Sequence, residues 1–276
     1  MSVDIEDPRR VLARHGFAPK KAFSQNFLVD KRAVQRIAEA TRADASSVVV
    51  ELGPGAGTLT TALLATGAEV VGVERDRDMA QVLRAELGDE PRFSLVEDDA
   101  ATVDLTAIAT ARGRELIVAG NLPYAITGAI LRQLSTHRES IVRAVVMVQK
   151  EVRDRLLASP GTKAYGAPTV FVQAGYAVEP VFTLAPGAFF PPPKVSSAVI
   201  RLERLAVPRA VETPALRETV QAIFASRRKT LRNSLRRIAP EEKIDAALEK
   251  TGIDGSDRGE TLTVERIAEL AEALFA

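Results

Sequence analysis

Cysteine and tryptophan are absent from this 276-residue sequence, and histidine occurs only at His15 and His137. Without cysteine there can be no disulfide, thiolate metal site or cysteine nucleophile. Two histidines far apart in sequence give little basis for a histidine-rich metal cluster or a Ser-His-Asp triad. Both read as surface or local hydrogen-bonding residues, and no metal is expected. No apolar run approaches the ~20 residues that a spanning helix needs. Residues 1–10 mix acids and bases without an apolar core, so they do not read as a secretory signal. The expectation is a cytoplasmic protein with no membrane partner. What is present is ordinary for a packed chain, with 46% hydrophobic and 26% charged residues. At roughly 100–200 residues per domain the length fits one large or two unequal domains, enough to bury a core without staples.

The net charge of +1 hides an uneven distribution. Between residues 217 and 237 stand seven bases against one acid, and from 238 to the end four bases against ten acids. Residues 1–36 carry eight bases and four acids. Local field rather than net charge steers a phosphate backbone, so two basic patches suggest a polyanion held at defined places. A solvated helix face is the alternative for 217–237.

Short β-branched runs at 47–51, 69–74, 93–96, 116–119 and 141–148 read as buried parallel strands. Between them 59–66, 78–87, 127–135 and 150–158 carry helical apolar spacing. This alternation implies βαβ units and a doubly wound α/β sheet. Two later runs, 169–178 and 195–202, are expected to pair antiparallel at one edge, joined by a proline- and aromatic-rich loop at 179–194. Beyond residue 207 the pattern is helical at 215–226, 229–237, 241–250 and 263–274. The expected division is therefore 1–206, a Rossmann-like catalytic domain, and 207–276, a small all-helical domain.

The first strand runs into ELGPGAGTLT (51–60), a glycine-rich turn opening a helix. Such turns let a ligand approach the backbone and the helix N-terminus. The spacing is G-x-G-x-G, not the G-x-G-x-x-G of dinucleotide folds, and Thr58 takes the sixth position. Glu74 ends the second strand, where an acid can take both ribose hydroxyls. Asp98 and Asp99 follow the third, within reach of an adenine amine. A carboxylate at Glu51 suits a sulfonium or ammonium and would repel a pyrophosphate, which favours S-adenosylmethionine over NAD. A purely structural turn, with Glu51 or Asp98 capping a helix, is the plainer alternative.

The fourth strand ends in GNLPY (120–124), at the sheet edge where chemistry is expected. The Asn121 amide oxygen and the Leu122 carbonyl, aimed by Pro123, can hold the hydrogens of a planar exocyclic amine. Tyr124 can stack on an extruded base. No strong base is required, because the amine becomes acidic once alkylated. Asn-x-Pro alone is equally compatible with a simple strand-ending turn.

NLPY (121–124) resembles the Asn-Pro-Pro-Tyr signature of amino-methyltransferases, and the chain from about residue 14 onward resembles the KsgA/RsmA family of small-subunit rRNA adenine dimethyltransferases. The likeness is carried by FSQNFLVD (23–30), the 51–60 loop, NLPY and AFFPPPKVSSAV (188–199), with QKEV (149–152), KAYG (163–166) and RRKTLRNSL (227–235) in support. Ser24 stands where the family usually has glycine and Ser196 where aspartate is common.

The resemblance implies a class I S-adenosylmethionine methyltransferase fold. It implies that Asn26, Leu28, Gly53, Glu74, Asp99 and Asn121 line the cofactor site, and Gln25, Glu51, Gly55 and Asp98 are expected beside them. Asn121, Leu122, Tyr124 and Phe189 would act on the substrate, with Tyr124 and Phe189 sandwiching the adenine. Phe23 and Phe27 are then part of a lid over the cofactor, or else plain core aromatics. Lys150 and Arg153 read as solvated helix residues, with a secondary role on the phosphate backbone as the alternative. Arg227, Arg228, Lys229, Arg232 and Arg236 would bind RNA. The implied activity is dimethylation of two adjacent adenosines near the 3′ end of 16S rRNA, within an immature 30S subunit, by a monomer. The alternatives are a 23S rRNA methyltransferase of the antibiotic-resistance type and a non-catalytic ribosome-assembly factor. An NAD-dependent dehydrogenase is disfavoured by the glycine spacing.

Overall fold

The computed structural model describes residues 5–20, 25–226 and 228–276. It divides into two compact units, Met1–Arg153 with Glu179–Glu203, and Asp154–Val178 with Arg204–Ala276. In the first, helix α1 (Pro8–His15) starts on the Asp7 cap and is followed by a short strand β1 (Phe27–Leu28). Helix α2 (Lys31–Thr41) begins where the Asp30 carboxylate accepts the Arg32 and Ala33 N–H groups. Its Ala33, Val34, Ile37, Ala38 and Thr41 recur at helical spacing and are all buried.

Strands and helices then alternate: β2 (Val48–Leu52), α3 (Thr58–Leu64), β3 (Glu69–Val73), α4 (Arg77–Leu87), β4 (Phe93–Val96), α5 (Leu105–Arg112), β5 (Leu116–Asn121), α6 (Thr127–Thr136) and β6 (Ile141–Gln149). All five expected parallel strands are present within two residues of their sequence-read bounds. After helix α7 (Lys150–Leu156) come α8 (Ala167–Gly175), β7 (Tyr176–Leu184), β8 (Phe189–Phe190) and β9 (Ser197–Arg204). The main sheet has the order β4-β3-β2-β5-β6-β9-β7, with β2 to β6 parallel and β9 antiparallel to β6. β1 and β8 form a separate antiparallel ribbon.

Chain direction across the sheet reverses between β2 and β5, since β3 and β4 extend one way and β6 the other. The crevice at the carboxyl ends of these two strands is the expected ligand position in such a sheet. Every residue of β2 is buried, so the strand fixes its end firmly.

Two expectations are corrected. Residues 169–178 do not form a strand: Ala167–Gly175 is helical and only Tyr176 onward is extended. The run is β-branched, but Gly166 and Pro168 open a helix, and Val170 and Ala174, four apart, enter one apolar cluster with Leu216 and Val220. The expected loop at 179–194 is likewise extended through Leu184, and again at Phe189–Phe190. The same cluster explains why the compact units differ from a single cut at residue 207. Tyr165, Val170 and Ala174 find their apolar partners among the C-terminal helices.

The second unit contains α9 (Pro214–Phe224), α10 (Leu231–Leu235), α11 (Glu241–Thr251) and α12 (Val264–Phe275). Its core joins Leu216, Val220, Leu235, Leu248, Ile267 and Leu270. Among the described residues no helix is long and apolar enough to cross a membrane.

Candidate active site

The turn after β2 places Gly53, Gly55 and Gly57 at φ of 73°, 57° and 79°, a region that side-chain-bearing residues rarely enter. A Cβ added at Gly53 would meet no atom within 4 Å, so bare backbone faces open space there. The turn is braced from below. Gly53 N–H donates to the Val73 carbonyl at 2.9 Å, and Gly55 N–H donates to Glu74 Oε2 at 3.0 Å.

Two acids underlie this turn. Glu51 is 2% exposed and accepts one hydrogen bond, from Thr60 Oγ1 at 2.6 Å. Burial pushes its carboxyl up to about 8, against the Thr60 bond, and Glu74 adds repulsion. Glu74 is also raised by burial, while N–H donors from Asp76 and Gly55 pull it back. Its Oε1 accepts the Asp76 N–H at 2.8 Å.

At the end of β5, Asn121 Nδ2 donates to the Asn26 carbonyl at 2.8 Å, tying the β1 segment to the sheet edge. Its Oδ1 accepts no hydrogen bond among the described residues. Leu122 is buried and anchored by its N–H to the Met147 carbonyl at 3.2 Å. The Pro123 carbonyl accepts Ile126 N–H at 3.1 Å and Thr127 Oγ1 at 3.2 Å, which stiffens the turn. Tyr124 is half-buried, with its hydroxyl 2.6 Å from Ser197 Oγ on β9, and desolvation raises its phenol.

Gln25, Asn26, Leu28, Glu51, Gly53, Gly55, Glu74, Asp99, Asn121, Leu122 and Tyr124 all line one cavity. Three expected members stand differently. Asp98 is exposed outside the lining and accepts the Asp99 N–H. Asp99 lines the cavity but pairs with Arg75 at 2.8 Å. Phe189 is 4% exposed and packs into the sheet's apolar core, opposite Leu28 in the β1–β8 ribbon, outside the cavity lining. It shares a face of the ribbon with Leu28. Phe27 and Phe190 occupy the ribbon's other face, and Phe27 lines the cavity, its ring within 3.0 Å of where a Gly55 Cβ would sit.

Of the expected RNA-binding cations, Arg228 and Lys229 are exposed and have no carboxylate partner among the described residues. Arg232 pairs with Asp245, and Arg236 pairs with Glu241 at 2.6 Å. Arg227 and Phe23 lie outside the described residues. Arg237, exposed beside them, is a further candidate that the sequence placed in the same basic stretch.

Sequence reasoning missed Thr60, Asp76 and Ser197. Thr60 lies in the first turn of α3, and its position in the glycine-rich segment was the available signal. Asp76 has the appearance of an ordinary helix cap, and Ser197 of an ordinary strand residue.

A sequence model described as ribosomal RNA adenine dimethylase matches residues 16–275. "Ribosomal RNA small subunit methyltransferase A" of Myxococcus xanthus is 46% identical over 98% of this chain and 96% of its own. The protein of the same name from Magnetococcus marinus is 43% identical over 95% and 94%. Among solved structures, the 23S rRNA methyltransferase ErmE superposes with TM-score 0.66 at 29% identity, covering 91% of this chain and all of that one. A dimethyladenosine transferase from Plasmodium falciparum gives 0.76 at 24% identity over 88% and 95%, which supports the fold. With matches of this extent, the chain belongs to the ribosomal RNA adenine dimethylase family.

Proposed function

We propose that this chain dimethylates the exocyclic amines of two adjacent adenosines in the hairpin near the 3′ end of 16S rRNA. In this reading it acts as a cytoplasmic monomer on an immature 30S subunit. The observation that carries the reading is the sharing of one cavity by two sets of groups: Gly53 and Glu74, suited to an adenosyl ligand, and Asn121, Leu122 and Tyr124, suited to an aminopurine.

The residues fit S-adenosylmethionine. The Glu74 carboxylate accepts backbone N–H groups, with Gly55 on Oε2 and Asp76 on Oε1, and its remaining lone pairs suit a ribose diol, while open space over Gly53 admits a ligand against backbone. Glu51 is a buried acid with no cation beside it among the described residues, and an onium group would relieve its desolvation. When bound, S-adenosylmethionine supplies an electrophilic methyl group.

The protein then aligns the nucleophile. Asn121 Oδ1 and the Leu122 carbonyl accept the two amine hydrogens, which turns the nitrogen lone pair toward the cofactor side of the cavity. Tyr124 stacks on the extruded base, its ring held through Ser197. The alkylated nitrogen is cationic and gives its proton to solvent, so no side chain serves as a strong base. Phe189 enters this proposal as the buried support of Leu28, with Tyr124 carrying the stacking.

The test supplies labelled S-adenosylmethionine with undermethylated 30S particles, 50S precursors and naked 23S rRNA. Two methyl groups on each of two neighbouring adenosines in 30S particles is the expected result. Label confined to 23S rRNA would transfer the chain to the resistance-type activity. Tight 30S binding without label would leave an assembly factor.

A further inference from the structure

Asp76 caps α4, a role that needs one acceptor oxygen, yet both of its oxygens are engaged and the residue is 2% exposed. Oδ1 accepts from Lys20 Nζ at 2.6 Å as well as from the Asp78 N–H at 3.1 Å. Oδ2 accepts from Gln25 Nε2 at 2.7 Å. Gln25 Oε1 in turn accepts the Lys20 N–H at 2.8 Å, so lysine, glutamine and aspartate close a ring of hydrogen bonds. Lys20 also pairs with Asp78 at 2.6 Å. The Asp76 N–H is the donor to Glu74 Oε1.

One residue thus touches both walls of the cofactor cavity. On the strand side it fixes the Glu74 carboxylate. On the other it holds Gln25, whose neighbours Asn26, Phe27 and Leu28 line the cavity and are tied across it by the Asn121–Asn26 bond. Charge-assisted bonds to a buried carboxylate are strong enough to set this geometry before any ligand arrives. A helix cap alone explains the Asp78 bond; it does not explain the lysine and the glutamine.

We propose that Asp76, clasped by Lys20 and Gln25, is a positioning residue that preorganises the cofactor site by locking Glu74 to the Gln25–Leu28 wall. This rests on the reading of the cavity as the S-adenosylmethionine site. It gives Gln25 a role in holding that wall, where the sequence led to an expected direct contact with the cofactor.

The experiment uses the full chain with Lys20→Met, Lys20→Arg and Asp76→Ser, the last keeping a good helix cap. Cofactor-free protein is followed by hydrogen exchange at the amides of residues 27–29, and S-adenosylmethionine binding by calorimetry. Lys20→Met should speed exchange there, weaken S-adenosylmethionine by about tenfold or more, and raise its KM with kcat at saturation unchanged. Lys20→Arg should restore most of the affinity. Asp76→Ser should stay folded, with parent-like exchange in strands remote from the cavity, and lose affinity as Lys20→Met does. Parent-like exchange and affinity in Lys20→Met, or undiminished affinity in Asp76→Ser, would reduce Asp76 to a helix cap and overturn the proposal. If the parent itself fails to bind S-adenosylmethionine, the cofactor reading falls, and the exchange rates alone decide whether the clasp holds this wall.

Discussion

The hydroxyl of Tyr124 and Oγ of Ser197, 73 positions apart in sequence, share a 2.6 Å hydrogen bond between the turn after β5 and the start of β9. Ser197 is fully buried, so the tyrosine ring is held from a rigid strand across the sheet edge. Orientation of a stacking ring is part of the alignment that makes transfer effective.

Tyr124→Phe and Ser197→Ala should therefore act alike. Each removes one hydrogen bond, about 0.5–1.5 kcal/mol, and kcat should fall by roughly three- to tenfold as the ring loses its fixed angle. Tyr124→Ala removes the stacking face as well, about 1–3 kcal/mol per base, and should be clearly worse. Single-turnover methylation of 30S particles measures all three. Equal rates in Tyr124→Phe and Tyr124→Ala would mean that the hydroxyl, not the ring, matters.

Asn121 has two jobs that one substitution separates. Nδ2 holds the Asn26 carbonyl, and Oδ1 is the proposed acceptor of an amine hydrogen. Asn121→Ala loses both and should lower turnover by about two orders of magnitude or more, since oriented acceptors of this kind are worth a few kcal/mol in the transition state. RNA affinity should stay within a few fold. Asn121→Asp keeps the acceptor and discards the donor to Asn26, so its main defect should be weaker cofactor binding. Filter binding of RNA beside calorimetry of S-adenosylmethionine distinguishes the two.

The parts of the site that were legible in the sequence are those that one segment builds. The 51–60 turn declares itself because only glycine tolerates three left-handed positions so closely spaced, and Asn121 to Tyr124 ends a run of buried β-branched residues. What stayed hidden depends on partners far along the chain. Ser197 reaches Tyr124, Lys20 reaches Asp76 across 56 positions, and Arg232 turns to Asp245 instead of to solvent. Phe189 and Phe190 are interchangeable in composition. Only the three-dimensional packing, which seats Phe189 in the sheet's apolar core and leaves Phe190 37% exposed, tells them apart. Helix α8 defies its β-branched composition because intrinsic strand preference yields to burial when a facing apolar cluster exists.

Glu51 predicts an unusual pH dependence. Its folded-state carboxyl is raised from 4.5 to about 8 by burial, so between those values the folded chain holds a proton that the unfolded chain releases. The contribution of this group to stability is then fully present below about pH 4.5 and is lost as pH rises through 8. Glu51→Gln, neutral at every pH and of the same shape, should match the parent near pH 5 and be more stable at pH 9, by on the order of 2–4 kcal/mol. Denaturant titrations at the two pH values test it. The same proton should be released when S-adenosylmethionine binds, because a cation favours the ionised carboxylate. Calorimetry in buffers of different ionisation enthalpy should detect that release in the parent and less of it in Glu51→Gln.

The basic stretch of the second unit divides into cations of two kinds. Arg228 and Lys229 are exposed with no carboxylate partner among the described residues, whereas Arg232 and Arg236 are paired with Asp245 and Glu241. Arg232 also belongs to the fabric of the unit: its N–H donates to the Gly255 carbonyl at 3.1 Å, and its guanidinium packs beside Gly255, within 3.3 Å of where a Cβ would sit. Neutralising Arg228 and Lys229 to glutamine should weaken rRNA binding without lowering Tm. The plot of log affinity against log salt should become shallower by about 0.7–0.9 for each phosphate that the variant no longer neutralises. Arg232→Gln should instead lower Tm and change the salt slope less, since its charge is already engaged within the chain. An unaltered slope in the Arg228/Lys229 variant would remove these two residues from the RNA interface, and a slope change confined to Arg232→Gln would mean that its pairing with Asp245 gives way to phosphate when RNA binds.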